Sequence, residues 1–255
     1  MHDTGNRTAR TRVFLDSEAV VGRRVELPVD EAYHIFKVLR ARDGDFIEIV
    51  TPGRSLMLAE VYGDARHAEA GVLEELSNPG DQQDQQVRVA LYQAVPKGKH
   101  MDLVVEKATE LGVERIVPLL TDHGEVKPET EKTARWRRIA GAAARQSLQL
   151  RVPEILEPLQ LGEALKELRE AGEPGVVLHN EPGLRTLEEA TPRGGSVALL
   201  VGPEGGWSDE ELILARDSGF GAAQMGPYRL RAETAGIVAV ARAEARLRDI
   251  QRPDA

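Results

Sequence analysis

Apolar and polar positions follow two different rhythms along this chain. From Arg12 to Leu76 the apolar residues come in short runs: Arg12–Leu15, Arg24–Leu27, Asp45–Val50, Met57–Val61 and Ala70–Leu76. Aliphatic, β-branched runs bounded by turn residues predict strands. The exception is Asp30–Arg40, a short helix carrying His34, Phe36, Val38 and Leu39. Several short strands with one helix predict a small β-barrel. The stretch "SNPGDQQDQQ", Ser77–Gln86, is polar and without periodicity, and reads as a linker.

After the linker, strands and helices alternate. Strands are predicted at Val87–Gln93, Arg115–Leu119, Val176–His179, Val197–Val201 and Ala222–Met225. Helices are predicted at Lys99–Leu111, Glu129–Leu150, Leu184–Ala190, Ser208–Ser218 and Glu233–Ile250. This alternation predicts an α/β domain with a mainly parallel sheet. No internal repeat or low-complexity tract interrupts it.

One stretch, "LLVGPEGGWSDEEL" (Leu199–Leu212), combines a buried strand, a glycine turn and a helix start. Gly202, Gly205 and Gly206 let a backbone turn sharply and approach a ligand closely. Ser208 with Glu211 forms a capping box. Strand, glycine turn and capped helix mark the edge where open α/β sheets hold ligands. A Walker loop would need Gly-Lys-Ser/Thr here, and Trp207-Ser208-Asp209 follows instead. Glu204, Asp209, Glu210 and Glu211 would repel a polyphosphate. The turn suits a neutral or cationic ligand; a plain tight connection remains the other reading. Two further strand ends, "LHNEPG" (Leu178–Gly183) and "MGPYRLRAETAG" (Met225–Gly236), supply loops that would complete one pocket.

Composition narrows the class. The chain has 255 residues, no cysteine and a net charge of −9. It can bury a core, and it has no disulfide framework and no cysteine-based metal or nucleophile site. The polar start and the lack of a long apolar run predict a soluble cytoplasmic protein. Within this acidic chain, Lys127–Arg151 forms a basic island, with Arg135, Arg137, Arg138 and Arg145 among its cations. It reads either as a docking face for nucleic acid or as a solvated helix face.

The three loops, in this order and with this content, resemble the RsmE family of SPOUT-class RNA methyltransferases. The resemblance extends to "HIFKVLRARDGD" (His34–Asp45), "ALYQAVPKGKHMDLVVEKATELGVERIVPL" (Ala90–Leu119) and "RQSLQLRVPEI" (Arg145–Ile155). It implies an α/β fold: a SPOUT-type trefoil-knotted parallel-sheet domain over residues 87–255, preceded by a PUA-like β-barrel over residues 1–76. It also implies S-adenosylmethionine as cofactor, methylation of uridine N3 in 16S ribosomal RNA of the small subunit, a homodimer and no metal. The family's TxRSVVK stands here as "TDHGEVK" (Thr121–Lys127). Its Gly-x-Arg-Ile-Leu-Arg stands as Gly226-Pro227-Tyr228-Arg229-Leu230-Arg231.

On that resemblance the cofactor residues are Leu178, His179, Glu181, Val201, Gly202, Pro203, Glu204, Gly205, Gly206, Met225, Gly226, Tyr228 and Leu230. Glu204 and Glu181 would favour a sulfonium cation. Arg231 is the catalytic candidate: a fixed guanidinium beside the uracil oxygens would stabilise the anion left when N3 loses its proton. No histidine stands out as a base. Arg12, Lys37, Arg40, Lys97, Lys99, Arg138 and Arg145 are the candidates for RNA contact. Arg138 and Arg145 share a helix face opposite Trp136, Ala140 and Ala143. Ala235, Ala239 and Ala243 form a small-residue stripe on the last helix. It packs within the protomer or, as the resemblance implies, contributes to a dimer seam. The competing activities are methylation of another RNA base or ribose, and RNA binding without catalysis.

Overall fold

The computed structural model describes residues 9, 11–77, 87–125 and 130–249. The linker expected at Ser77–Gln86 lies, beyond Ser77, outside them, as does Lys127 of the basic island. The chain divides into two compact units, Met1–Gln83 with Ala144–Arg151, and Asp84–Ala143 with Val152–Ala255.

The first unit holds a five-stranded sheet of β1 (Arg12–Phe14), β2 (Arg24–Glu26), β3 (Phe46–Val50), β4 (Leu56–Gly63) and β5 (Ala68–Ser77), in the order β1-β3-β4-β5-β2. Only the β1–β3 pair is parallel. Alternating side chains send Val13, Ile47, Ile49, Ala59, Val61 and Ala70 into one core, closed by Ala32 and Ile35. The helix expected at Asp30–Arg40 is shorter and changes pitch. An α-helical turn, α1 (Val29–Tyr33), widens into a π-helical turn over His34–Val38, where Leu39 N–H donates to His34 O.

Ala144–Arg151 joins this unit for a reason that sequence spacing does not show. Arg145 pairs with Glu31 on α1, and Arg12 donates to the carbonyls of Leu148 and Gln149 while pairing with Glu48 at 2.6 Å. Arg12 is buried. Both arginines were RNA candidates; the structure assigns their guanidinium groups to internal carboxylates and carbonyls. Burial raises the Glu31 carboxyl above its ordinary value, against the lowering effect of Arg145.

The second unit is built on a seven-stranded parallel sheet. Its strands are β6 (Val87–Ala94), β7 (Arg115–Leu120), β8 (Glu154–Ile155), β9 (Leu159–Gln160), β10 (Gly175–Leu178), β11 (Gly195–Val201) and β12 (Gly221–Ala223). Their order is β12-β10-β11-β6-β7-β8, with β9 also on β7. Continuous apolar runs such as Val197–Val201 fit strands covered on both faces. One face packs on α2 (His100–Glu110), α3 (Thr130–Gln146) and α7 (Ala232–Arg248), through Met101, Val104, Trp136, Ala140, Ala239 and Val240. The other packs on α4 (Leu161–Glu170) and the Trp207–Ala215 segment, through Leu161, Leu165, Leu168 and Phe220.

Helix α4 lies in a stretch to which the sequence reading gave no element. Its apolar face, Leu161, Ala164, Leu165 and Leu168, follows the i, i+3, i+4, i+7 pattern of a core-facing helix. Two short helices complete the set, α5 (Leu187–Ala190) and α6 (Asp209–Asp217), each opened by a capping box. Among the described residues no helix is long and apolar enough to cross a membrane.

The alanine stripe of α7 is a protomer feature. Ala239 and Ala243 are fully buried in the same core as β6 and β11, so they are not available to a seam between copies. At Gly236 the approach is closer still: a Cβ there would fall 2.2 Å from Gln93 Oε1, the buried side chain at the end of β6.

Helix α7 is also tied to α5. Arg242 makes two hydrogen bonds to the Glu188 carboxylate and a third to Met225 O. Those bonds hold the Glu188 carboxyl below its ordinary range. A depressed folded-state pKa stabilises the protein above the unfolded value, and that stability is lost as pH falls through the folded one. Glu188→Gln is expected to cost about 1 kcal/mol or less at neutral pH, given partial solvent screening. The loss should fade as the medium is acidified below about pH 4. Thermal melts of parent and variant across pH check this, and a gap that does not change with pH would count against the pair.

Candidate functional site

The site begins with register. Leu178 at the end of β10 pairs with Val201 of β11 on one side and Ala223 of β12 on the other. Three neighbouring parallel strands therefore end level, and the loops that follow them emerge side by side. They enclose a cavity of about 570 Å³ whose floor is that row: Leu178, Val201 and Ala223. This is the strand-end position at which open parallel sheets bind ligands, and the volume suits a small-molecule cofactor.

The cavity brings together most of the residues proposed from sequence. Leu178, His179, Val201, Gly202, Pro203, Glu204, Gly205, Gly206, Met225, Tyr228, Leu230 and Arg231 all line it. Glu181 and Gly226 are not among the lining residues. Glu181 is exposed and stands 3.7 Å from His179 Nε2, while Gly226 supplies a left-handed turn with φ +136°. Six lining residues escaped the sequence reading: Asn180, Trp207, Ala223, Arg229, Ala232 and Ala235. Ala235, one of the three residues of the alanine stripe, thus faces the cavity.

Trp207 organises the floor. It is buried, and its indole N–H donates to Leu178 O at 2.9 Å, joining the second loop to the end of β10. The ring lies so close to Gly202 that a Cβ there would come within 3.1–3.3 Å of it. Glycine at 202 lets the indole pack close against the backbone.

The glycine turn is held from three sides. Glu204 Oε1 accepts from Lys97 N–H at 3.0 Å, so this carboxylate fastens the turn to the loop after β6. Arg229 donates to Glu204 O at 3.0 Å from the third loop. From the loop after β7, His123 Nδ1 lies 3.2 Å from Gly206 O, and Ser208 Oγ donates to Asp122 Oδ2 at 2.6 Å. The capping carboxylate of Glu211 also accepts from Asp122 N–H at 2.9 Å. Of the acidic residues, Glu204 and Glu211 accept from backbone N–H groups of other loops, whereas Glu181, Asp209 and Glu210 are exposed. A Cβ at Gly205 would fall 2.9 Å from His123 Cβ, so this glycine makes room for the β7 loop.

Arg231 is the N-cap residue of α7, and its side chain is exposed at the cavity rim. Glu233 points the other way, buried and 3.5 Å from His100 Nδ1. Of the remaining basic candidates, Lys37, Arg40, Lys97, Lys99 and Arg138 are exposed. Lys97 pairs with Glu125 at 2.8 Å, which raises its ammonium pKa. Arg40 occupies a left-handed backbone conformation, φ +55°, just after the π-helical turn.

Comparisons with known proteins agree with this geometry. Residues 83–244 match the model of an RNA methyltransferase domain. The ribosomal RNA small subunit methyltransferase E of Synechocystis sp. is 32% identical over 241 residues, covering 92% of this chain and 78% of the relative. A methyltransferase structure from Legionella pneumophila, solved with bound cofactor SAM, superposes with a TM-score of 0.82 at 30% identity, over 93% of this chain and 98% of that one. The small subunit methyltransferase E of Neisseria gonorrhoeae, bound to S-adenosyl methionine, gives 0.81 at 28% identity, over 92% and 97%. A parallel sheet whose level strand ends enclose a cavity, matched across nearly its whole length by such proteins, places this chain in the ribosomal RNA small subunit methyltransferase E family of RNA methyltransferases.

Proposed function

We propose that this protein binds S-adenosylmethionine in the three-loop cavity and methylates N3 of a uridine in 16S ribosomal RNA of the small subunit. The observation that carries the reading is the level row Leu178, Val201 and Ala223 beneath three loops, in a chain that superposes on structures with that cofactor bound. The residues present suit such a ligand. The floor is apolar, the walls include the glycine turn Gly202–Gly206, and no cysteine or acidic cluster calls for a metal among the described residues. When bound, the cofactor supplies an electrophilic methyl group.

The protein's own share is positioning and charge. The floor and the latched turn fix one reactant, and alignment with the second lowers the entropy cost of their meeting. Uridine N3 attacks only once its proton has left, with the charge spread onto O2 and O4. Arg231 stands at the rim where that anion forms, and its planar fork can serve two oxygens at once. The first unit, read as a PUA-like barrel, docks RNA through Lys37 and Arg40, while Arg12 and Arg145 hold the unit together. In the second unit, read as the trefoil-knotted SPOUT domain, Lys97, Lys99 and Arg138 are the residues proposed to contact RNA. The same reading includes a homodimer. With Ala239 and Ala243 buried, its α7 contacts draw on the half-buried Ile237, Val238 and Ala241.

Three outcomes are expected. Gly205→Val should weaken S-adenosylmethionine binding by displacing the β7 loop, and His123→Gly in the same chain should restore part of it. Calorimetry on folded variants decides, and an unaltered affinity in Gly205→Val would separate the turn from the cofactor. Arg231→Ala should slow single-turnover methyl transfer at saturation by about a hundred- to a thousand-fold. Arg231→Lys should recover only part, and higher pH should help the alanine variant more than the parent; a normal saturated rate removes Arg231 from the chemistry. Replacing Lys37 and Arg40 together by glutamine should lower the salt dependence of RNA binding by about 1.4 in log–log slope if both contact phosphates of an unpaired strand. Cofactor affinity should not change, and an unchanged slope would clear this face of RNA contact.

A further inference from the structure

Shelter is uneven within the cavity. Its floor is enclosed, with Val201 2% and Trp207 7% exposed, whereas Tyr228 is 82% exposed although it lines the same space. A small cofactor seated on the floor leaves the rim to whatever arrives second. Arg229 and Arg231, on either side of Leu230, are exposed at the same rim.

The loop that carries this ring is held, not slack. Arg242 donates to Met225 O where the loop begins, Arg229 donates to Glu204 O midway, and the loop ends at Arg231, the N-cap position of α7. Pro227, directly before the tyrosine, fixes φ. A large aromatic displayed in water from a restrained loop adds little to folding, and a restrained loop loses little entropy when it binds. An aromatic face flanked by guanidinium groups suits one chemical class, an unstacked base on a phosphate-bearing strand.

We infer that Tyr228 is the stacking platform for the target pyrimidine, a substrate-recognition residue rather than a cofactor contact. The inference rests on the methyl-transfer reading of the cavity. N3 lies on the pairing edge of uracil, so the base must leave any helix before it can react, and leaving costs stacking. The Tyr228 ring returns that stacking at the rim, within the loop that presents Arg231. The resemblance pattern has arginine where this chain has Tyr228, while Arg229, at the next position, forms the latch to Glu204. The ring is thereby left free of internal duties.

The test uses full-length protein and small ribosomal subunits from a strain lacking the modification, with Tyr228→Ala and Tyr228→Phe. Tyr228→Ala is expected to weaken RNA binding about five- to a hundred-fold, the range for loss of one base–aromatic stack. Tyr228→Phe should stay within about two-fold of the parent, since the ring and not the hydroxyl does the work. The ratio of parent to alanine variant should hold between low and high salt, because stacking releases no counterions. Calorimetry without RNA should show equal S-adenosylmethionine affinity in all three proteins. A fall in cofactor affinity with RNA binding intact overturns the assignment, as does a phenylalanine variant as weak as the alanine one or no change in either. A parent that binds the cofactor but transfers no methyl group to these subunits would instead defeat the activity itself, and the role of Tyr228 with it.

Discussion

Everything at this site depends on the hydrogen-bond register of three parallel strands. Register in a sheet is quantised, and a slip of one residue would invert every side chain and stagger the strand ends. Here Ala223, Leu178 and Val201 share one row, and Gln93 of β6 continues it. The row gives the cavity its flat apolar floor and sets the origin of each loop. The loops need only short excursions to meet above it.

The second level of organisation is electrostatic and unusually local. Glu204 and Glu211 accept from backbone N–H groups of other loops, at Lys97 and Asp122. A carboxylate hydrogen-bonded to an amide is a stronger tie than a neutral acceptor would be. The acidic character of the glycine turn therefore belongs to its architecture. Exposed around the cavity are one carboxylate, Glu204, two guanidinium groups, Arg229 and Arg231, and the Tyr228 ring. In a chain of net charge −9, arginines thus outnumber carboxylates along this lining.

The sequence reveals what is local and hides what is distant. Ser208 and Glu211 are three residues apart, and their capping box is read directly and found as read. The aliphatic run Val197–Val201 and the glycines after it are equally plain. Helix α4 was also legible, since Leu161, Ala164, Leu165 and Leu168 carry helical spacing between Pro158 and the Gly172–Pro174 stop. The two-residue strands β8 and β9 are too short for any period to show. The internal roles of Arg12 and Arg145 were hidden because their partners, Glu48 and Glu31, are 36 and 114 residues away. Trp207 and Ala235 reached the cavity through packing, which no spacing rule reports. The same holds for Gly202 and Gly205, whose missing side chains serve Trp207 and His123.

The contact between Gln93 and Gly236 has a consequence for how such a sequence can change over time. A buried amide oxygen lies where the Cβ of any other residue at 236 would be. A methyl group can enter only if the glutamine side chain moves aside or is shortened, and a shortened side chain beside the glycine leaves a void. Each position thus sets the selective value of mutations at the other. Lineages that depart from the pair are expected to have crossed by a shared intermediate in which the side chain at 93 moved or shrank first, since a void is better tolerated than an overlap of two buried side chains.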